Sequence, residues 1–173
     1  MDDISYIENQ FIKADSLIGE GKVSEAKELL EEILNENPDF GKAHNHLGWI
    51  YATKLSNYEK GEYHYKLAIK FDPKYPASYL NYTYLLVDTA KFDEAKKLID
   101  IALTQVEGAD KASYYSELAR IYEFERDFIQ AYQLYKKSSD LAFNPTYIEN
   151  MKTNMKRVKD KMSTFEKIKL TFK

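Results

Sequence analysis

The chain contains no cysteine, which removes disulfides, thiolate metal ligands and cysteine nucleophiles together and fits a reducing compartment. Glycine and proline are scarce, six and four in 173 residues, so the turn chemistry of a sandwich or barrel is missing and strand signals are few. Long apolar runs are absent too. No window approaches about 18 consecutive apolar residues, and the N-terminus, Met1-Asp2-Asp3-Ile4-Ser5, lacks a basic-then-apolar leader pattern. The expectation is a soluble, cytoplasmic protein, unless a leader has been removed.

Catalytic signatures are equally thin. There is no G-x-S-x-G, H-E-x-x-H, calcium-loop or dinucleotide fingerprint. Gly19-Glu20-Gly21-Lys22 suggests a phosphate loop, but the required earlier Gly and following Ser or Thr are replaced by Ser16 and Val23; it reads as a turn between helices. His44 and His46, two apart on one helix, point about 200° apart and cannot share a metal. His64 has no carboxylate at ligand spacing, so all three histidines are expected at the surface or in a groove. Adjacent acids such as Glu31-Glu32 read as solvated surface. Asn81-Tyr82-Thr83 satisfies the glycosylation pattern but falls mid-helix in a chain without a leader pattern. No enzyme, metal or cofactor is indicated.

What is present is an ample core composition, 44% hydrophobic, arranged with a long period. Small residues recur in pairs, Ala14 with Ala26, Gly48 with Gly61, Thr83 with Ala95, and Ala119 with Ala131. The first of each pair returns after 34, 35 and 36 residues and the second after 35, 34 and 36, which predicts stacked helical hairpins crossing at those positions. The four span about 4–38, 40–73, 75–108 and 110–143, making a body of residues 1–144. Pro38 and Pro73 follow helix ends, Gly108 marks another stop, and Asp110 is a predicted N-cap. The second hairpin carries one extra residue, expected in its turn, Thr53 to Asn57.

Asn144-Pro145 is an N-cap followed by a proline suited to the first helical position, and it opens a different segment, 145–173. Ile148, Met151, Met155, Val158, Met162 and Phe165 form a heptad-like stripe opposite Lys152, Lys156, Arg157, Lys159 and Lys161. Its first half is expected to cap the last hairpin; the second, Met162 to Phe172, is expected to reach beyond the stack. From Met151 onward eight Lys or Arg oppose two acids, while the remainder has 17 against 26, an acidic body with a basic tail behind a net charge of −3.

The pattern Leu47-Gly48-x-x-Tyr51, Tyr58 in the turn, Ala68 and a closing Pro73 resembles the tetratricopeptide repeat. Phe92, Ala95 and Ala102 continue the resemblance, as do Leu118, Ala119, Tyr122, Phe128 and Ala131. Gly61 stands where Ala is usual, Leu17 where Tyr is usual, and Glu107 where a repeat should end in Pro. The resemblance implies an all-α fold, a right-handed α-α superhelix of four helical hairpins plus a C-terminal capping helix, acting as a non-catalytic scaffold that holds a partner's peptide segment in its concave groove. The lining expected from it comprises Phe11, Asp15, Asn45, Trp49, Leu80, Asn81, Tyr84, Asp88, Ser116, Arg120 and Glu123, with Trp49 and Tyr84 as anchors. Where some family members clamp a chaperone's C-terminal carboxylate with Lys, Asn and Arg, the matching places hold Phe11, Asp15, Ala77 and Asn81, without a cation. The expected ligand therefore has apolar or aromatic anchors, with an acid opposite Arg120. The alternative rests on the tail, whose Met155, Met162 and Phe165 would support homo-oligomerisation or contact with an anionic membrane. Nucleic-acid binding by the acidic body is not expected.

Overall fold

The structure, a computed structural model, describes residues 3–171. All regular elements among them are helices: α1 (Asp3–Gly19), α2 (Val23–Glu36), α3 (Gly41–Trp49) continued by a π-turn (Ile50–Lys54), α4 (Tyr58–Phe71), α5 (Pro76–Asp88), α6 (Phe92–Gln105), α7 (Lys111–Phe124), α8 (Phe128–Leu141), α9 (Pro145–Lys161) and α10 (Thr164–Thr171). They fall into two compact units that divide within α5, between Leu85 and Leu86. None is long and apolar enough to cross a membrane.

In the first unit, α1 pairs with α2 and α3 with α4. Ile7, Phe11, Ala14, Leu30, Ile33, Leu47, Ile50 and Tyr51 form its core. The expected crossings are closed: Ala14 and Ala26 are wholly buried. A Cβ on Gly48 would lie 2.7 Å from the Tyr65 ring, and one on Gly61 would lie 3.0 Å from the Ala52 methyl. In the second unit Ala119, Ala131, Tyr135, Met151, Val158 and Met162 form the core that α9 covers.

The turns repeat one geometry. Gly21, Ser56, Ala90 and Arg126 all have positive φ, and each stands five residues before the small residue of the following helix. In three hairpins the next amide reaches back to the first helix, Lys22 to the Leu17 carbonyl, Lys91 to Leu86 and Asp127 to Tyr122, at 2.8 to 2.9 Å, a Schellman closure. The extra residue of the second hairpin is not in its turn as expected. It is absorbed upstream in the π-turn, where the Leu55 amide donates to Ile50 and the Asn57 amide to Tyr51.

Asp110 and Asn144 cap α7 and α9 as expected, accepting from the Ser113 and Tyr147 amides. The tail differs from the continuous stripe. Met151, Val158 and Met162 are buried and Met155 is half-buried, but Phe165 is 74% exposed. The helix breaks at Met162, and Ser163 opens α10 with a capping box: its amide and hydroxyl donate to Glu166 and its Oγ accepts from the Glu166 amide. The break changes the helical phase, so Leu170 rather than Phe165 meets the core. Phe172, expected to extend the stripe, lies outside the described residues.

Two substitutions test this account. Gly48→Ala is expected to lower stability by about 1 to 3 kcal/mol through overpacking against Tyr65. Ala90→Gly, at an exposed left-handed position, is expected to raise it by about 1 kcal/mol. Urea titration followed by far-UV circular dichroism measures both.

Candidate interaction surface

The first helix of each hairpin brings polar side chains opposite those one repeat later. In the first unit, the Lys42 ammonium donates to Glu8 at 2.9 Å, His46 Nε2 meets Asp15 at 2.9 Å, and the Asn81 amide donates to the Asn45 side-chain oxygen at 3.1 Å. These contacts tie α1 to α3 and α3 to α5. Asn45 is 2% exposed, and Phe11 lies in the core, edge-on to Phe40 and His46 with centroids 5.5 and 4.7 Å away. Both were expected as open lining; both are buried, Asn45 against Asn81 and Phe11 because α3 closes over α1. Trp49, Leu80, Asn81 and Tyr84 remain half-buried. Trp49 packs one side on the core, and the Lys54 ammonium lies 4.9 Å from its ring centroid.

The second unit has its own pairs. Arg120 donates to Asp88 and Glu117, each at 2.7 Å. The acid expected opposite Arg120 is thus supplied by the chain. Glu117 is buried, and this pushes its carboxyl up to about 7, with Arg120 opposing the rise. Glu123 accepts from Arg157 through Nε at 3.0 Å and Nη2 at 2.7 Å, from Lys161 at 2.8 Å and from the Tyr135 hydroxyl at 3.1 Å. Its burial favours the neutral acid, but the hydrogen bonds and charges of Arg157 and Lys161 prevail and hold it down to about 2. This knot fastens α9 to α7 beside a hollow of about 200 Å³ lined by Arg120, Glu123, Phe124, Arg157 and Lys161. Ser116, expected in the lining, is buried.

His44 and His64 are placed differently from expectation. His44, 6% exposed, and His64, on α4, meet through their Nδ1 atoms at 3.0 Å, between the Tyr51 and Phe71 rings. His44 Nε2 faces the Pro38 carbonyl at 3.0 Å, so it must donate; neutral His44 then accepts at Nδ1, and His64 donates. Burial lowers the pKa of both rings, His64 to about 4, its partner ring, Lys60 and Lys27 adding to the fall and Glu31 opposing it. The periodicity could not show this contact, because it joins the two helices of one hairpin. Among the described residues no cluster of three or more His, Asp or Glu could hold a metal.

The pairs on the first helices, by contrast, left a signal in the sequence. Arg120 follows Asp88 by 32 residues, Arg157 follows Glu123 by 34 and Asn81 follows Asn45 by 36, so complementary groups recur at about one repeat.

This period and geometry match a known family. The family model described as tetratricopeptide repeat matches residues 13–76. Those residues are tetratricopeptide repeats. Comparison with curated protein sequences finds no match. Among solved structures the chain resembles PilF of Pseudomonas aeruginosa (TM-score 0.74, 16% identity, covering 89% of this chain and 73% of that one). It also resembles yeast Tom70 (0.76, 22%, 91% and 34%). A third is TTC0263, a thermophilic TPR protein of Thermus thermophilus (0.69, 17%, 88% and 80%). At such identities the likeness is one of fold. It extends the all-α tetratricopeptide repeat architecture beyond the matched span, and that architecture in general serves protein–protein interaction.

The buried groups make acid stability a test. His44 and His64 have folded pKa values below the unfolded 6.5, so the unfolded state binds more protons and stability falls as pH drops from about 6.5 to 4. Glu117, raised above 4.5, acts oppositely: its stabilisation is full below 4.5 and disappears as pH rises through 7. Replacing Glu117 by Gln removes the compensating gain, so Glu117→Gln is expected to lose stability more steeply than wild type between pH 7 and 4.5. Urea midpoints across that range check it.

Proposed function

We propose that this protein is a non-catalytic adaptor that holds an extended or helical segment of another protein on the first-helix face of its first unit, with Trp49, Leu80 and Tyr84 as apolar contacts and Asn81 beside them. One observation carries this reading. The polar groups of that face pair with one another across repeats, and Trp49, Leu80 and Tyr84 lie on it at intermediate exposure. A large aromatic fixed on one side and solvated on the other is a suitable anchor, since it loses little conformational freedom when covered. The π-turn beginning after Trp49 gives it further support, because such insertions concentrate at functional sites.

The segment's chemistry follows from the same surface. Asp15 already accepts from His46, and the face offers no unpaired cation at the positions considered for a carboxylate clamp. Apolar side chains with backbone amides available to Asn81 suit it better than a free carboxylate. Cytoplasmic function is consistent with the absence of cysteine.

Peptide display against the folded protein is expected to select segments with aromatic or branched aliphatic anchors, and Trp49→Ala and Tyr84→Ala should each weaken a selected peptide by about tenfold or more while leaving far-UV circular dichroism unchanged. Selected peptides indifferent to both substitutions would remove this face from the reading. Unfolding of both variants would return the two residues to the core.

A further inference from the structure

The capping box at Ser163 and the docking of Leu170 have a consequence for the far side of α10. They hold the helix so that Phe165 and Ile168, three apart and therefore on one side, point outward with 74% and 53% of their surface exposed. Lys167 and Lys169 flank them, and Lys156 and Lys159 extend the charge along α9. These four lysines make no ion pair among the described residues.

The first unit carries the complementary surface. Between α1 and α2 lies a depression of about 180 Å³ in which Tyr6, 49% exposed, and half-buried Leu29 lie among Gln10, Glu32, Glu36 and a single cation, Lys13, so that most of its exposed lining is polar. α2 as a whole has five glutamates and one lysine, and Lys27 is occupied by Glu31 at 2.6 Å. Acidic groups beside Tyr6 and Leu29 therefore face solvent on the first unit, and lysines beside two exposed apolar side chains face solvent on the second.

We propose that copies of this chain associate head to tail, with Phe165 and Ile168 on α10 of one copy seated on the α1–α2 face of the next and their lysines against Glu32 and Glu36. The occupant is a second copy rather than an anionic membrane for two reasons. Two apolar side chains are a small anchor for a bilayer, and the acidic remainder of the chain, 26 acids to 17 bases, is repelled by the surface that attracts the tail. The contact is heterologous, so each added copy presents a further free surface until the copies close into a ring. Its limited area makes it weak and its charges make it salt-sensitive.

Sedimentation of the full chain from about 10 to 500 μM, at about 0.05 and 0.5 M salt, reads the outcome. The mean mass is expected to rise with concentration and to rise less at high salt. Phe165→Asp/Ile168→Asp, at exposed positions, should stay monomeric with unchanged circular dichroism, and so should Glu32→Lys/Glu36→Lys. Mixing these two double variants leaves one intact surface on each, so dimers should form and growth should stop there. A constant single-chain mass at every concentration overturns the proposal, as does association indifferent to both double variants, or a mixture that does not dimerise. Binding of the monomer to phosphatidylserine-containing vesicles without self-association would replace it by the membrane reading. Trp49→Ala should associate as wild type does, which keeps this result separate from that for the groove.

Discussion

Two helices of a hairpin approach only as closely as the side chains at their crossing allow, and the rest of this structure follows from that distance. At the second crossing the missing Cβ of Gly48 is the space that Tyr65 fills, its ring carbons 2.7 to 3.0 Å from where that atom would stand. Tyr65, 1% exposed, stacks in turn on Tyr82 of α5 with centroids 5.9 Å apart, and the Tyr82 hydroxyl reaches Glu62 on α4 at 3.2 Å. One absent methyl group thus sets how α4 lies on α3 and, through two rings, where α5 sits on α4. Tightly packed interiors transmit such displacements because they have little void in which to absorb them.

Once the crossings fix the spacing, side chains about one repeat apart come within hydrogen-bond reach. The resulting pairs are mostly at or near the surface, where an ion pair contributes only about 0.2 to 1 kcal/mol, so their number says little about stability. Their effect is on recognition. Each acid matched to the base of the next repeat is one that a ligand would have to displace, and Asp15, Asp88 and Arg120 are all matched. Glu123 differs because it is nearly enclosed, with 12% of its side chain exposed, and receives three separate side-chain donors. Removing Arg157 would leave much of its charge desolvated, so this knot orders α9 more firmly than an open pair could.

Much of this was legible in the sequence, and the reason is periodicity. The pairs Ala14 with Ala26, Gly48 with Gly61 and Ala119 with Ala131 located the crossings within the units, and Asn144-Pro145, Asp110 and the prolines located the helix ends, because each records a local steric or hydrogen-bonding demand. What escaped was set by contacts whose spacing has no regular signature. His44 finds His64 across a hairpin, and Phe11 is buried by a helix that comes 30 residues later. Exposure on a helix facing its neighbours depends on how closely they lie, and periodicity does not encode that distance. The break before α10 was visible as Ser163-Thr164-Phe165-Glu166, a capping-box pattern, but the continuing apolar stripe masked it.

The π-turn shows how an irregularity is confined by what surrounds it. The extra residue of the second hairpin had two places to go, the loop or the helix. The loop was already constrained: Ser56 had to take the left-handed conformation, and Asn57 had to accept from the Lys60 amide to start α4. Lengthening it would have moved Gly61 off the crossing. The first helix could instead widen after Trp49, with the Thr53 hydroxyl bonding the Trp49 carbonyl at 2.8 Å to satisfy the backbone there. Gly48 and Gly61 thereby keep their crossing, and the departure from regular helix begins beside the one tryptophan of the chain. The Trp49 carbonyl and ring are thus held by Thr53 and Lys54, two residues of the inserted turn itself, which couples the orientation of the aromatic to the irregularity rather than to the repeat.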